Sequence, residues 1–407
     1  MNNGNWLPLK GIRVADFTQV IAGPACTMLL ADLGAEVIKI EPLTGDFWRR
    51  PVNGSAFVNF NRNKRSIALN LKDPQALEAV YKIVRRADVL IENFSPGTMD
   101  KLKLGYDAVS EMNPRIIYAS ISGFGQNGPY RERPGYDPVA QAMSGIMLNT
   151  GEADRPPVRV LPTMVDYLAG NHTAYAVSVA LLNREKTGQG KRIDISLLDV
   201  AIMQMGQFVA LYSMTGELPS RMGSGYLASA PYQAFETRNG YVLIAVTTDE
   251  MWKNLCKALK LEHLLGKECY ATLNDRCLHR SELAAEVTRV TKQYTSLDLE
   301  SLLVKFNVPC GRLMQVDEII RDPHVQSREI MQEIEYPEKG KKKIKIIKTP
   351  IHFSGKAPEI RLRPPLIGEH TREILGLLGY KEEEIQDFFK KGIARQTEAK
   401  AAPVPES

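Results

Sequence analysis

The 407-residue chain lacks most of the features that announce a chemistry. No apolar run approaches the ~18 residues of a membrane-spanning helix, so a membrane protein is not expected. The opening residues MNNGNWLPLKG hold neither a basic patch nor an apolar leader core, and a cytoplasmic location is the expectation. Five cysteines (Cys26, Cys256, Cys269, Cys277 and Cys310) are scattered and show no CxxC spacing, which fits a reduced protein without a disulfide framework. The six histidines form no HxxxH or HExxH pair, so no protein-ligated metal is expected. The loop after the first predicted strand reads FTQVIAGPAC, without GxGxxG, which counts against nicotinamide and flavin chemistry. A Walker A loop, a GxSxG elbow and the known catalytic Cys/His signatures are missing as well. A net charge of +5 is too weak to imply nucleic acid, but a mildly basic surface suits a phosphate-bearing anion.

What is present is ordinary soluble composition, 44% hydrophobic and 24% charged, in a chain long enough for two domains. The N-terminal half alternates strand and helix. IRVADF (12–17), AEVIKIE (35–41), DVLIENF (88–94) and RIIYASISGFG (115–125) read as strands. GPACTMLLADLG (23–34) and DPQALEAVYKIVRRA (73–87) read as helices, the second capped by Asp73 with Pro74 behind it. This order predicts an α/β fold with a doubly wound, Rossmann-like parallel sheet. KRIDISLLDVAIMQMGQFVALY (191–212) adds a strand and an apolar helix.

The predicted organisation is a large domain over 1–205, a linker over 206–224 and a smaller α+β domain over 225–320. A second linker (321–335), a return to the large domain (336–395) and a mobile tail (396–407) follow. YQAFETRNGYVLIAV (232–246) reads as a hairpin turning at Asn239-Gly240. The basic run KGKKKIKIIK (339–348) alternates Lys343 and Lys345 with Ile344 and Ile346, as one solvated strand face would; a phosphate-binding strip is the other reading.

One residue carries chemical interest. In PTMVDYLAGNHTAYAVSVALL (162–182), Asp166 is the only charged group, at the head of a long apolar helix. Its residue type suits a helix cap. A nucleophile at a helix N-terminus is the other reading, and capping is the commoner job of such a residue.

A resemblance then enters. LKGIRVADFTQVIAGPACTMLLADLGAEVIKIEP resembles the opening of the class III CoA-transferases, also called the carnitine/bile-acid or formyl-CoA transferase family. FNRNKRSIALNLK, VLIENFSPGTMDKLKLGYD, ISGFGQNGPYRERPGYDPVAQAMSG, TGQGKRIDISLLD, VPCGRLMQVDEIIRDPHVQSRE and PPLIGEHTREIL continue it in the family's order. The resemblance implies that Asp166 is the catalytic nucleophile, capping or not, working through mixed anhydrides and an aspartyl-CoA thioester. It implies coenzyme A or an acyl-CoA as co-substrate and no tightly bound cofactor. By position, Val20, Ile21 and Ala22 meet the pantetheine and pyrophosphate, while Leu69, Asn70, Lys72, Asn93, Phe94 and Ser95 meet the adenine and ribose. Lys101 stands where some relatives carry a phosphate-binding arginine; Arg133 and Tyr136, with Arg131, lie in the loop beyond as candidates for a CoA phosphate or a substrate carboxylate, the arginines reading equally as solvated loop residues. Pro42 replaces a further family arginine, so that contact is either lost or supplied elsewhere, with Arg49 and Arg50 as the candidates. Gly223, Ser224 and Gly225 correspond to the family's glycine loop and its oxyanion donors; as bare residues they equally make a linker.

The resemblance also implies an interlocked dimer, homomeric or with a paralogous subunit, acting on small molecules, with no nucleic acid or membrane partner. The look of the FGQNGPYRERPGYD and SAPYQAFETRNGY segments is closest to relatives drawing CoA from succinyl-CoA, with a dicarboxylate acceptor. Two alternatives stand beside this. An α-methylacyl-CoA racemase needs a second acid/base group, and Tyr136 replaces the histidine that supplies it. A non-catalytic subunit of a heteromeric transferase has no need of Asp166.

Overall fold

A computed structural model of the chain describes residues 6–337 and 343–398. Residues 1–5 of the opening segment, 338–342 of the basic run and 399–407 of the expected tail lie outside the described residues. The described residues form two compact units: those within 6–145, 160–207 and 326–398 make the first, and 146–159 with 208–325 the second.

The first unit begins β1 (Arg13–Asp16), α1 (Ala22–Asp32), β2 (Glu36–Glu41), α2 (Ser55–Phe60) and β3 (Lys64–Leu69). It continues with α3 (Pro74–Arg86), β4 (Val89–Glu92), α4 (Thr98–Lys101), α5 (Tyr106–Met112) and β5 (Ile117–Ser122). Next come α6 (Asp137–Met143), α7 (Met164–Thr187), β6 (Lys191–Ser196) and α8 (Leu197–Gln204), then α9 (Gly206–Thr215), which leads out of the unit. The second unit holds β7 (Tyr232–Thr237), β8 (Gly240–Ala245), α10 (Asp249–Leu259), α11 (Leu273–Leu278), α12 (Arg280–Thr291), α13 (Ser296–Lys305), β9 (Cys310–Arg312), α14 (Val316–Arg321) and α15 (Pro323–Ser327). The chain returns to the first unit through β10 (Met331–Glu335), β11 (Lys343–Ile347), α16 (Thr371–Leu377), α17 (Glu382–Lys390) and β12 (Ala394–Arg395).

The main sheet has the order β12-β3-β2-β1-β4-β5-β6, with β12 antiparallel to β3 and the other pairs parallel. β4 and β5 are buried along their whole length, as strands covered on both faces must be. This is the doubly wound arrangement, and its strand order reverses between β1 and β4. Ligands of such sheets bind outside the carboxyl ends of the strands at that reversal. Asp73 caps α3 through the Gln75 amide, with Pro74 at its first position, as the sequence pattern requires. In the second unit β7, β8 and β9 form an antiparallel sheet. The β7–β8 turn falls on Arg238 and Asn239, one residue earlier than expected, because Thr237 already pairs with Gly240.

In β10–β11, Glu333 lies opposite Lys345 and Glu335 opposite Lys343. The described part of the basic run therefore faces carboxylates across the hairpin, which favours the solvated-face reading.

Charge lies unusually deep under the β1 end of the first unit. Lys64 Nζ reaches Asp16, the Pro24 carbonyl, Thr27 and Asn61, and Arg62 pairs with Asp32. Arg49 pairs with Glu41, with its guanidinium stacked on Phe57. Burial pushes the Lys64 ammonium down to about 8, against the pull of Asp16. Such pairs persist only where hydrogen bonds saturate them, as these do.

Candidate active site

The loop after β1 is built by side chains from its neighbours. Asp16 accepts the Thr18 amide at 2.9 Å and its hydroxyl at 2.5 Å. Lys39 of β2 donates to the Thr18 carbonyl at 2.6 Å. Asn93, just past β4, grips Gln19 from both sides: its Oδ1 accepts the amide at 2.8 Å and its Nδ2 donates to the carbonyl at 2.7 Å. Asp46 accepts the Val20 amide at 3.4 Å. Val20 is held at φ +70°, a left-handed conformation that a β-branched residue rarely adopts. Strain of this kind costs on the order of 1–3 kcal/mol and survives only where the surroundings impose it. The clamps lie at the reversal point of the sheet.

Asp166 stands at the same edge. Asp137, beyond the carboxyl end of β5, accepts the Val165 amide at 2.8 Å and the Asp166 amide at 3.3 Å, and so caps α7 from another helix. Gly170, one turn beyond Asp166 in α7, lies against the first turn of α1: a Cβ there would stand 2.7 Å from the Ala22 carbonyl and 2.9 Å from Ala25. This contact sets the head of α7 beside the head of α1 and the strained loop before it.

The expectation that Asp166 caps its own helix is corrected. It sits in the third position of α7, Thr163 is the boundary residue without a side-chain cap, and Asp137 does the capping. The Asp166 side chain is 8% exposed and accepts no hydrogen bond among the described residues. Burial, then the negative charge of Asp137, pushes its carboxyl up to about 7.

Asp137 was not singled out in the sequence. Its signal is faint: an Asp-Pro pair opening a helix, with Gln141 one turn on. Gln141 donates to Asp137 at 2.7 Å and accepts the Val160 amide at 2.9 Å. Lys39 and Asp46, which paired at 3.1 Å hold the loop, were missed as well.

The other sequence-derived positions divide. Ile21 and Ala22 are buried at the start of α1. Leu69 ends β3 with its side chain in the core, so it offers backbone only. Asn70 is tied to the Ile393 carbonyl and to the Lys72 amide, and Lys72 is exposed. These stand across β2 and β1 from Asn93, Phe94 and Ser95, on the same edge. Asn93 spends its amide on Gln19, Phe94 packs against the core, and Ser95 is exposed. Lys101 is exposed at the end of α4. Arg133 stacks on Tyr130 at 3.8 Å, and Tyr136 is 66% exposed. Arg131 lies against Gly97, with its buried Nε lacking a hydrogen-bond partner. Of the two arginines offered in place of the one lost at Pro42, Arg49 is already spent on Glu41 and the Pro365 carbonyl, whereas Arg50 is exposed.

Gly223, Ser224 and Gly225 belong to the second unit. Gly223 has φ +58°, and the Glu152 carboxylate occupies the place of a Cβ. The Gly223 amide donates to the Gly151 carbonyl and the Gly225 amide to Met222, while the Ser224 hydroxyl accepts from Ala234. Two of the three amides expected to face an oxyanion are therefore engaged within the unit. Among the described residues no group of acids, histidines or cysteines is arranged to hold a metal. Nor, among them, is any single helix long and apolar enough to cross a membrane, although α8 and α9 taken together across their bend meet that test by length and composition.

Comparison with known proteins completes the picture. A sequence model of CoA-transferase family III matches residues 9–371. The chain is 37% identical to a succinyl-CoA:mesaconate CoA-transferase of Haloarcula marismortui, over 91% of this chain and 96% of that one. It is 36% identical to the succinyl-CoA:glutarate CoA-transferase of Homo sapiens, over 97% and 91%. The crystal structure of a CAIB/BAIF family protein from Brucella suis superposes with a TM-score of 0.83 at 35% identity, covering 92% of this chain and 100% of that one. The chain belongs to CoA-transferase family III and is a CoA-transferase.

Proposed function

We propose that the protein moves CoA from succinyl-CoA to a dicarboxylic acid, with Asp166 as covalent nucleophile. One observation carries the nucleophile: a buried carboxylate at the carboxyl edge of the sheet, unspent on hydrogen bonds and relatively basic. The carboxylate attacks the thioester carbonyl, the C–S bond breaks, and CoA leaves as thiolate. The thiolate then attacks the aspartyl carbonyl of the mixed anhydride. Succinate departs, and Asp166 is left as a CoA thioester. The acceptor carboxylate reverses these steps. The thioester is conserved throughout, so neither ATP nor a metal enters the balance. Anhydrides hydrolyse, which gives the dry surroundings of Asp166 a purpose.

The choice of succinyl-CoA and a dicarboxylate rests on the activities of the named relatives; glutarate and alkyl- or arylsuccinates are the acceptors to try. The β1–α1 loop would carry the CoA chain, with Lys101 and Arg131 meeting its phosphates as charges. In the first unit Tyr175, Leu182 and Met203 leave an apolar face exposed on α7 and α8, which supports the dimer that the resemblance implies.

The test is to incubate the protein with succinyl-CoA alone, add hydroxylamine and map the modified peptide by mass spectrometry. A hydroxamate at Asp166 is expected, followed by turnover in a dicarboxylate panel. An unlabelled Asp166 with every acyl-CoA tried would remove the nucleophile. The loop makes its own prediction: Asn93→Ala frees both backbone groups of Gln19, and KM for the acyl-CoA should rise about tenfold, the worth of roughly one lost hydrogen bond. An unchanged KM would show that the clamp has no part in binding.

A further inference from the structure

We propose that Asp137 is the positioning residue of the nucleophile: it fixes the first turn of α7 and places a second negative charge beside Asp166, a repulsion that acylation removes. The proposal rests on reading Asp166 as the nucleophile.

Asp137 is 1% exposed and accepts three N–H groups, from Val165, Asp166 and Gln141. Gln141 is itself fully buried and anchored to Val160, so the Asp137 side chain cannot swing away. A structural cap needs none of this. A serine, threonine or asparagine at the helix boundary does that work with a neutral group, and Thr163, which stands there, makes no such bond. The fold instead brings a buried carboxylate from α6, and no cation pairs with either Asp137 or Asp166 among the described residues. Two neighbouring buried carboxylates without a cation are unfavourable as long as both are ionised.

The reaction changes that balance. When Asp166 bonds to the acyl carbon, its negative charge leaves with the CoA sulfur as the C–S bond breaks. Asp166 stays neutral through the anhydride and the thioester. The repulsion is present in the resting site and absent from the intermediates, so it favours attack.

The elements packed on α7 carry few other ionisable groups: Cys26 and Asp32 on α1, Tyr118 on β5, Lys191, Arg192 and Asp194 on β6, and Asp199 on α8. α7 itself adds Tyr167, His172, Tyr175, Arg184, Glu185 and Lys186. Asp32 is neutralised by Arg62, and Arg184 by Asp88. The charge that acts on Asp166 is that of Asp137.

The experiment follows enzyme-bound CoA thioester formation from succinyl-CoA in single turnovers across pH, using the full chain. Wild type should lose rate on the acid side with a midpoint near 7, since burial and then Asp137 raise the Asp166 carboxyl to about 7. Asp137→Asn keeps an oxygen for the Val165 amide and removes the charge; its midpoint should fall by about one pH unit or more and its maximal rate should drop, with KM for succinyl-CoA unchanged. Asp137→Ala is the second variant, removing charge and cap together, and its midpoint should fall alike. A folded variant that forms the thioester with an unmoved midpoint overturns the role of Asp137 and leaves the nucleophile standing. Absence of the thioester in wild type at every pH overturns the nucleophile reading, and this proposal with it. A wild-type midpoint near the ordinary carboxylate value of about 4 overturns it as well.

Discussion

Asp166→Ala is expected to lower CoA transfer by at least about a thousandfold, the scale on which covalent catalysts lose activity with their nucleophile. Without the carboxylate, donor and acceptor must exchange CoA directly, and a free carboxylate attacks a thioester poorly. Binding should survive, because the loop that would hold the CoA chain is clamped by Asp16, Lys39, Asp46 and Asn93 rather than by Asp166. Loss should therefore appear in kcat, with KM for the acyl-CoA little changed. Asp166→Glu separates position from charge: one extra methylene displaces the oxygen by about 1 Å, which is expected to cost roughly a hundredfold. Steady-state rates on the three proteins check both statements. An alanine variant within tenfold of wild type would mean that another group makes the covalent bond.

Asp166→Asn should make the protein more stable at pH 8 and leave it about equal to wild type at pH 4.5. Burial, then Asp137, raises the carboxyl from 3.8 to about 7, so the folded chain holds this proton more tightly than the unfolded chain does. A tighter proton in the folded state means stability that is full below the unfolded value and lost as pH rises through about 7. Above that pH the wild type carries a desolvated anion, a burden on the order of a few kcal/mol that a neutral amide lacks. Denaturant unfolding of both proteins at the two pH values measures it, since groups common to both cancel in the difference. A gap that does not change with pH would mean that Asp166 is not held in a raised state. Sites of this kind trade stability for reactivity.

Much of the fold was legible because its signals are local. Asp73 with Pro74 announces α3, and the apolar runs of β4 and β5 announce strands buried on both faces. The position of Asp166 was legible from one charge at the head of an apolar helix, but its partners were not. Asp137 precedes it by 29 residues, and the pairing depends on how the β5–α6 loop folds back. Arg49 looked free for phosphate binding, because nothing local ties it to Glu41 and Pro365. The glycines at 223 and 225 suggested open amides, yet Gly151 and Met222 occupy them. Residues 146–159 pack with the second unit through contacts such as Arg221 to the Leu148, Glu152, Ala153 and Arg155 carbonyls, which no periodicity reveals.

The absence of a side chain at Gly170 reaches further than packing. Because α7 rests directly on the α1 backbone there, the height of Asp166 above the sheet is set by a contact one helical turn away from it. The glycine works as a spacer of zero thickness. Any shim inserted at that point would lift the Asp166 carboxylate while leaving every neighbour of Asp166 unaltered in identity, so the placement of that group is governed from a glycine it does not touch.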